Sequence, residues 1–392
     1  IFFFMTGMFS GISAAQTPSA GRPKVAPELL NSLMRQSHNS EPLRVIIRLK
    51  KKPTEIEPEF KSRSYRKTRL HRLKKHANRR QRKFLEFLDQ KTGSAKKRFR
   101  RRHFGRHTVP ASGPNIKSYW IAGSMAATLS RAELLEIASH PDVLEISENT
   151  VVSIPTFGSN QINAAEIYQS LWNFPAIGLD QISGLGLDGE GVRIGFIDTG
   201  FDPSHPDLAG KLVGWAEFDK SGQVIDSEPH ETHPRGHGTH VASVLAGNTT
   251  GIAPGASLLA VMALPGGTGT IEQVLGGMQW IIDPDDDADT DDGAQIVNMS
   301  WGAIGLSPVL NEAVETMAAA GVLPVCSIGN SGPGVTMSPG NASQAIGVGA
   351  IEPYNRVAVY SGGAEVCWTE EICLTKPDIV APGSSIPGIG VE

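Results

Sequence analysis

The hydrophobic positions between residues 192 and 350 form short apolar runs that alternate with longer stretches of helical periodicity. Short continuous runs are typical of strands buried on both faces of a sheet, and apolar spacings of three and four are typical of amphipathic helices. We predict strands at 192–198, 257–263, 295–300, 322–328 and 344–350, and helices at 237–247, 271–282 and 308–320. This alternation predicts an α/β fold, in which helices cover both faces of a parallel sheet.

The pattern in residues 41–155 is different and predicts a small α+β unit. An apolar strand at 43–49 precedes a helix at 61–91, whose leucines and phenylalanines form a stripe among lysines and arginines. A strand follows at 119–129, then a helix at 131–139 and a last strand at 143–146. Ser130 and Glu133 have the spacing of a capping box, which predicts where the second helix begins.

The first residues have the composition of a targeting segment. An apolar run over residues 1–12 ends in Ser13-Ala14-Ala15, which is typical of a secretory signal peptide and too short to span a bilayer. No basic region precedes Ile1, so we expect an incomplete start. Residues 16–40 are rich in Pro, Ser and Asn and are interpreted as a linker. We therefore expect a secreted protein without a membrane partner.

The net charge of −4 conceals two oppositely charged parts. Residues 1–110 contain 28 Lys and Arg against 7 Asp and Glu, whereas residues 111–392 contain 8 against 33. The basic segment 61–106 raises the alternative of a nucleic-acid-binding protein. It lacks regularly interleaved aromatic residues, so we interpret its charges as a solvated helix face and expect no nucleic-acid partner.

Two short motifs predict paired acid–base chemistry. Asp198-Thr199-Gly200 ends a predicted buried strand, and His237-Gly238-Thr239-His240 begins a predicted helix. A carboxylate at a strand end can orient a histidine base and stabilise its imidazolium form. A pepsin-like site needs a second Asp-Thr-Gly, which this sequence lacks, and the histidine spacing does not match the zinc-protease signature.

These motifs, with four further segments, resemble the subtilisin-like serine proteases (subtilases). The further segments follow in the family's order and are 251–256, 296–302, 327–332 and 376–383. Six matches in one order make a chance resemblance improbable. The resemblance implies peptide-bond hydrolysis with Asp198 as the orienting acid and His237 as the base, and it implies protein or peptide substrates.

The same resemblance assigns further residues. It implies that the side-chain amide of Asn330 stabilises the oxyanion, and that Ser300, Trp301 and Gly302 form the edge on which substrate pairs. The family's nucleophile lies in a Gly-Thr-Ser-Met-Ala stretch that is not found in residues 1–392. We expect this serine beyond residue 392 and interpret Ser384 and Ser385 as loop residues. A binding protein on a subtilase scaffold that has lost its serine is the alternative.

The resemblance also divides the chain into domains. Residues 41–155 resemble the ferredoxin-like inhibitory propeptide of subtilases, and residues 156–392 resemble part of the catalytic domain. Residues 149–155 have no helical pattern, so we expect them to lie extended in the substrate groove beside Ser300 and Gly302. Self-cleavage is then expected between residues 149 and 160, with the basic cluster 96–102 as a competing site for another protease.

Cofactor and cysteine chemistry is left partly open by the sequence. The chemistry implied by the resemblance needs no cofactor, and the acidic run 283–293 is interpreted as a solvated loop, with structural calcium as the alternative. Residues 246–251 are too short for the loop that completes a common subtilase calcium site at the position of Asp207. Cys367 and Cys373 allow either a disulfide or two free thiols, and Cys326 is expected to be buried.

Overall fold

The computed structural model describes residues 24–35, 41–50, 65–91, 116–155, 171–369 and 372–389. The predicted signal peptide, the basic cluster 96–102 and residues 156–160 of the expected cleavage region lie outside these ranges. Within them, every helix is too short or too polar to cross a bilayer.

The N-terminal unit is an antiparallel sheet with helices. Its elements are α1 (Pro27–Arg35), β1 (Leu43–Leu49), α2 (Tyr65–Lys91), β2 (Ile116–Tyr119), β3 (Ser124–Leu129), α3 (Arg131–Ser139) and β4 (Val143–Glu148). The strands pair in the order β2-β3-β1-β4. Alternate residues of β1 face opposite sides, so Val45 and Ile47 pack with Phe84 of α2 and Ile137 of α3, while Ile46 joins a different core.

Most predicted elements of this unit are confirmed, with two corrections. Ser130 and Glu133 form the predicted capping box at the start of α3. The expected strand at 119–129 is two strands separated by a 3₁₀ turn, Trp120–Ala122. The interpretation of residues 16–40 as a linker is wrong for α1, because Leu29 and Leu33 are buried against the sheet. The helix propensity of the residues does not predict such a helix, because its stability comes from packing against the sheet.

The second unit contains most of the secondary structure. Its elements are β5 (Val151–Ser153), α4 (Asn173–Ala176), α5 (Leu179–Ile182), β6 (Arg193–Asp198), β7 (Leu212–Phe218), β8 (Val224–Ile225), α6 (His237–Ala246), β9 (Ser257–Met262), β10 (Thr268–Thr270), α7 (Ile271–Ile282), β11 (Ile296–Met299), β12 (Ala303–Ile304), α8 (Pro308–Ala319), β13 (Leu323–Ser327), β14 (Met337–Ser338), β15 (Ile346–Glu352), β16 (Arg356–Val357), β17 (Ala364–Cys367), β18 (Cys373–Lys376) and β19 (Ile379–Pro382). All five predicted strands and all three predicted helices are present within two residues of the expected bounds.

A nine-stranded sheet organises this unit and confirms the predicted α/β class. Its order is β16-β15-β13-β11-β6-β9-β7-β8, with β19 also paired to β15. All pairs are parallel except those of β8 and β16 at the two ends. Neighbouring residues of β6 serve opposite faces: Phe196 packs with Ala242 of α6, and Ile197 belongs to the core that contains Val274 of α7. Helices therefore cover both faces.

The N-terminal sheet packs on α7 and α8. Ile46 and Ile121 belong to the same buried cluster as Met317 of α8. Ion pairs cross this apolar contact: Nε and Nη2 of Arg44 each lie 2.7 Å from an oxygen of Glu272, which is completely buried. Removal of one partner would leave a buried charge unpaired and strongly destabilise the folded protein. These contacts therefore fix how the two units pack.

A second contact joins α2 to the loop after α7. Arg66 pairs with Asp291 at 3.2 Å, Lys67 pairs with Asp289 at 2.8 Å, and Lys74 pairs with Asp283 and Asp286. Several basic side chains of α2 thus contact carboxylates of the same chain, where a fully solvated face was expected.

The prediction of a solvated acidic loop is wrong for Asp283, which is only 5% exposed. Its burial raises the pKa of the Asp283 carboxyl to about 6, although Lys74 acts in the opposite direction. The carboxyl of Asp283 is therefore ionised, and its ion pair with Lys74 formed, mainly above pH 6.

The cysteines are placed by one hairpin and one strand. Cys367 and Cys373 face each other across β17 and β18 and form a disulfide. Cys326 of β13 is buried, as expected, and burial raises the pKa of its thiol.

Candidate active site

The carboxylate of Asp198 lies at the carboxyl end of β6, in the middle of the parallel sheet. It is completely buried, and its Oδ1 atom accepts a 2.8 Å hydrogen bond from the backbone N–H of Thr199. The same oxygen is 2.6 Å from Nδ1 of His237. Asp198 and His237 are 39 positions apart in sequence, and the fold brings them into direct contact.

His237 is the first residue of α6, and two glycines allow it to reach Asp198. Gly236 precedes the helix with φ = 61°, which is the left-handed conformation that glycine adopts easily. A Cβ atom on Gly238 would lie 2.2 Å from the carbonyl oxygen of Gly200. The backbone at the helix start is therefore in direct contact with the loop after β6, and a side chain at position 238 would prevent this close approach.

The electrostatics of His237 favour its protonated form. Burial alone disfavours the imidazolium, but the charge and hydrogen bond of Asp198, with a smaller effect of Glu231, raise the pKa of His237 above its usual value. Its side chain remains 21% exposed. An imidazole held this way, with one nitrogen on a carboxylate and its ring partly open, is suited to act as a general base.

Ser300 and Asn330 lie at the ends of neighbouring strands. Ser300 directly follows β11, and Asn330 follows β13 after Ile328 and Gly329. Ser300, Asn330, His237 and Pro155 line one cavity of about 300 Å³. The predicted base and the predicted oxyanion donor thus face the same space.

Trp301 and Gly302 differ in what they contact, although they are adjacent in sequence. The indole of Trp301 is completely buried in the core between the sheet, α7 and α8, so its side chain does not line the cavity. Gly302 exchanges two backbone hydrogen bonds with Ser153, at 2.9 and 3.0 Å. Of these two residues, Gly302 contacts the extended segment through its backbone.

The extended segment is β5, and it lies between two edges. Val151–Ser153 pairs antiparallel with Thr268–Thr270 of β10 on one side and meets Gly302 on the other. The N–H of Ile154 donates to the carbonyl of Gly267 at 3.0 Å, and Pro155 reaches the cavity. Backbone pairing on both edges is the geometry of strand addition.

Two acidic positions, Asp207 and the loop after α7, carry carboxylates of the kind that bind calcium. Asp207 accepts hydrogen bonds from the backbone N–H and hydroxyl of Thr249 and from the hydroxyl of Thr250. Burial opposes ionisation, yet these bonds hold the pKa of Asp207 below its usual value. Carboxylate oxygens of Asp283, Asp285 and Asp292 lie within 4.8 Å of one another, and the Lys74 ammonium contacts Asp283 there. Such oxygens suit calcium, but an ammonium supplies cationic charge in this arrangement.

Sequence reasoning missed two glutamates near the site. Glu231 contacts both the Asp198 loop and α6, and Glu272 is the second residue of α7, the helix that directly follows the groove strand β10. Neither belongs to a motif, and nothing in the local sequence marks them. Their partners come from distant parts of the chain.

Comparison with known proteins identifies the family of this chain. A sequence model described as the subtilase family matches residues 189–391, just over half of the chain. The chain belongs to the subtilase family. Proteins of this family are serine proteases that hydrolyse peptide bonds, and the match confirms the predicted resemblance to subtilases.

This subtilase is similar to several bacterial proteases. It is 34% identical to subtilisin DY of Bacillus licheniformis over 226 residues, which are 55% of this chain and 73% of that protein. It is 39% identical to the minor extracellular protease Vpr of Bacillus subtilis, over 48% of this chain and 24% of Vpr. The major intracellular serine protease of B. subtilis is 33% identical, over 51% of this chain and 60% of that protein.

The contact between Asp198 and His237 makes a prediction that needs no catalytic activity. In Asp198→Asn, burial should dominate, so the pKa of His237 should fall below its value in the unaltered chain. NMR titration of the imidazole in residues 1–392 measures this, with His237→Gln to assign the signal. Asp202→Asn is the matched control, because it removes a charge four residues away whose carboxylate contacts Ser204. Equal pKa values in the three proteins would contradict the pairing.

Proposed function

We propose that this subtilase is the precursor of a secreted serine endopeptidase and that its N-terminal region is the intramolecular inhibitor of its own site. The observation that carries the proposal is the course of residues 151–155. They lie extended between Gly302 and β10 and lead to the cavity lined by His237 and Asn330. A segment in this position occupies the place that a substrate would take.

The proposed chemistry assigns one task to each group. A serine hydroxyl attacks the substrate carbonyl, and Nε2 of His237 accepts its proton while Asp198 holds Nδ1. The proton is then given to the leaving amine, and water releases the acyl group by the same route. The amide of Asn330 donates to the oxyanion; loss of such a donor costs about 10²–10³ in turnover, a value known from subtilisin. We place the serine beyond residue 392.

Charge complementarity supports inhibition by the N-terminal region. Arg44 and Asn149 both donate hydrogen bonds to the buried carboxylate of Glu272, and the backbone N–H of Glu272 donates to the side-chain oxygen of Asn149. The hydroxyl of Tyr119 donates to the same carboxylate at 3.0 Å. One glutamate at the start of α7 therefore connects the sheet of residues 41–149 to the strand that borders the groove.

Secretion is supported by the disulfide, because such bonds persist mainly in oxidising compartments. The printed names of the relatives include an extracellular and an intracellular protease, so similarity alone does not decide the compartment. The signal-peptide composition of residues 1–15 favours export.

A scaffold protein that binds peptides without cleaving them is the second candidate. It is favoured by one observation: β5 pairs through its backbone with β10 on one edge and with Gly302 on the other, so the groove holds an extended segment by these contacts alone. Binding in the groove would need the same edges, Gly302 and β10, but no nucleophile.

Detection of the nucleophile separates the two candidates. A longer chain that includes a downstream Gly-Thr-Ser should hydrolyse casein and react with a fluorophosphonate, and residues 1–392 should do neither. His237→Ala should lower turnover by about 10⁶, the loss known for subtilisin. Ser384→Ala and Ser385→Ala are controls that should change nothing. Casein hydrolysis by residues 1–392 that a serine-directed phosphonate abolishes would refute this placement, and a full-length chain without such a serine would favour the scaffold.

The position of Pro155 predicts where the chain is cut. Pro155 lies at the cavity with His237, so we expect cleavage after it and a mature N-terminus at residue 156, within the range 150–161. N-terminal sequencing of the mature enzyme measures this, and a start at 97–107 would instead indicate another protease at the basic cluster. Ser153→Pro removes the N–H that pairs with Gly302 and should slow cleavage, whereas Ser153→Ala keeps it and should not.

Inhibition should depend on the contact between α2 and the acidic loop. Lys74→Gln leaves the buried carboxylate of Asp283 without its cation, so the cleaved N-terminal region should bind about tenfold more weakly. Residual activity of freshly cleaved enzyme against dilution measures that affinity. Lys75→Gln removes the same charge from an exposed position of α2 and is the control. Equal affinities for both variants would show that the ion pair does not contribute.

A further inference from the structure

We propose that Glu231 is a positioning residue for His237: its carboxylate caps the helix that carries His237 and joins that helix to the Asp198 loop. The inference rests on the proposed function, in which His237 is the base. It assigns a role to a residue outside the Asp-Thr-Gly and His-Gly-Thr-His motifs.

The carboxylate of Glu231 is the centre of a hydrogen-bond network. Its Oε1 atom accepts from the hydroxyl of Thr199 at 2.7 Å and from the backbone N–H groups of Thr232 and His233, both at 2.9 Å. Its Oε2 atom accepts from the backbone N–H and the hydroxyl of Thr239, also at 2.9 Å. Five donors from three segments converge on one side chain.

This network replaces the local cap that α6 lacks. Gly236 stands at the N-cap position and has no side chain to accept from the first turn. The N–H of Gly238 donates instead to the hydroxyl of Thr199 at 2.9 Å, and the N–H of Thr239 donates to Glu231. Thr199 is covalently next to Asp198, so the groups that hold the helix start also hold the carboxylate that orients His237.

A negative charge in this position acts on the helix and on the imidazole. A carboxylate at a helix N-terminus is stabilised by the helix dipole. The titratable groups around His237 are Asp198 and Glu231, which favour its protonated form, the ring of His233, whose centroid is 6.1 Å away, and His240 one turn along α6. Glu231 therefore contributes both position and charge.

The first test measures His237 directly in residues 1–392. Glu231→Gln places an amide where donors converge, so the pKa of His237 should fall and the low-field Nδ1–H signal should broaden or shift. Glu228→Gln removes a charge from an exposed position of the same loop and should leave both signals unchanged. Unchanged signals in both variants would overturn the proposal, whether or not the chain proves to be a protease.

The second test uses the active full-length chain. Glu231→Gln should lower kcat about 10- to 100-fold with KM within about twofold, because misplacement of the base affects the chemical step more than binding. If this variant does not fold, Glu231→Asp keeps the charge but is one methylene too short to reach both Thr199 and Thr239, and kcat should fall severalfold. If the wild type and the Glu228→Gln control are active and the folded Glu231 variant keeps full kcat, the positioning role of Glu231 is rejected. The proposed protease function would stand in that case.

Discussion

Parallel strands with a common direction are the constraint on which this site depends. In the nine-stranded sheet, β6, β11 and β13 are neighbours, and their carboxyl ends meet at one edge. Each strand carries a polar residue at this end or just beyond it, namely Asp198, Ser300 and Asn330. No sequence pattern between these residues indicates that they lie close together. Side chains that are far apart along the chain can therefore share one cavity.

The second organising feature is the division of charge between the two parts of the chain. The N-terminal unit brings arginines and lysines to carboxylates that the α/β unit presents on α7, α8 and the loop after α7. Glu272 and Asp283 are buried in this contact, and buried carboxylates need partners because desolvation is costly. The opposite net charges of the two parts of the sequence therefore correspond to specific ion pairs between the two units of the fold.

Much of the architecture could be predicted because it depends on local patterns. The strand before Asp198 and the helix after Gly236 are apolar enough to be recognised, and their ends determine that Asp198 and His237 can meet. The orientation of Trp301 could not be predicted, because Trp301 lies between β11 and β12, where the alternation of side chains along a strand does not apply. The burial of Asp283 was missed because its partner, Lys74, is more than two hundred positions away. The strand β7 was missed because Gly214 and Glu217 interrupt its apolar pattern.

The covalent link between β5 and the rest of the chain changes how occupancy of the groove should be described. While the chain is intact, Val151–Ser153 faces β10 at an effective concentration in the millimolar range, whatever the amount of protein in solution. A free peptide that makes the same backbone contacts must exceed that concentration to displace it. Once the link is cut, the same strand competes only at its actual concentration, so dilution becomes the variable that opens the groove.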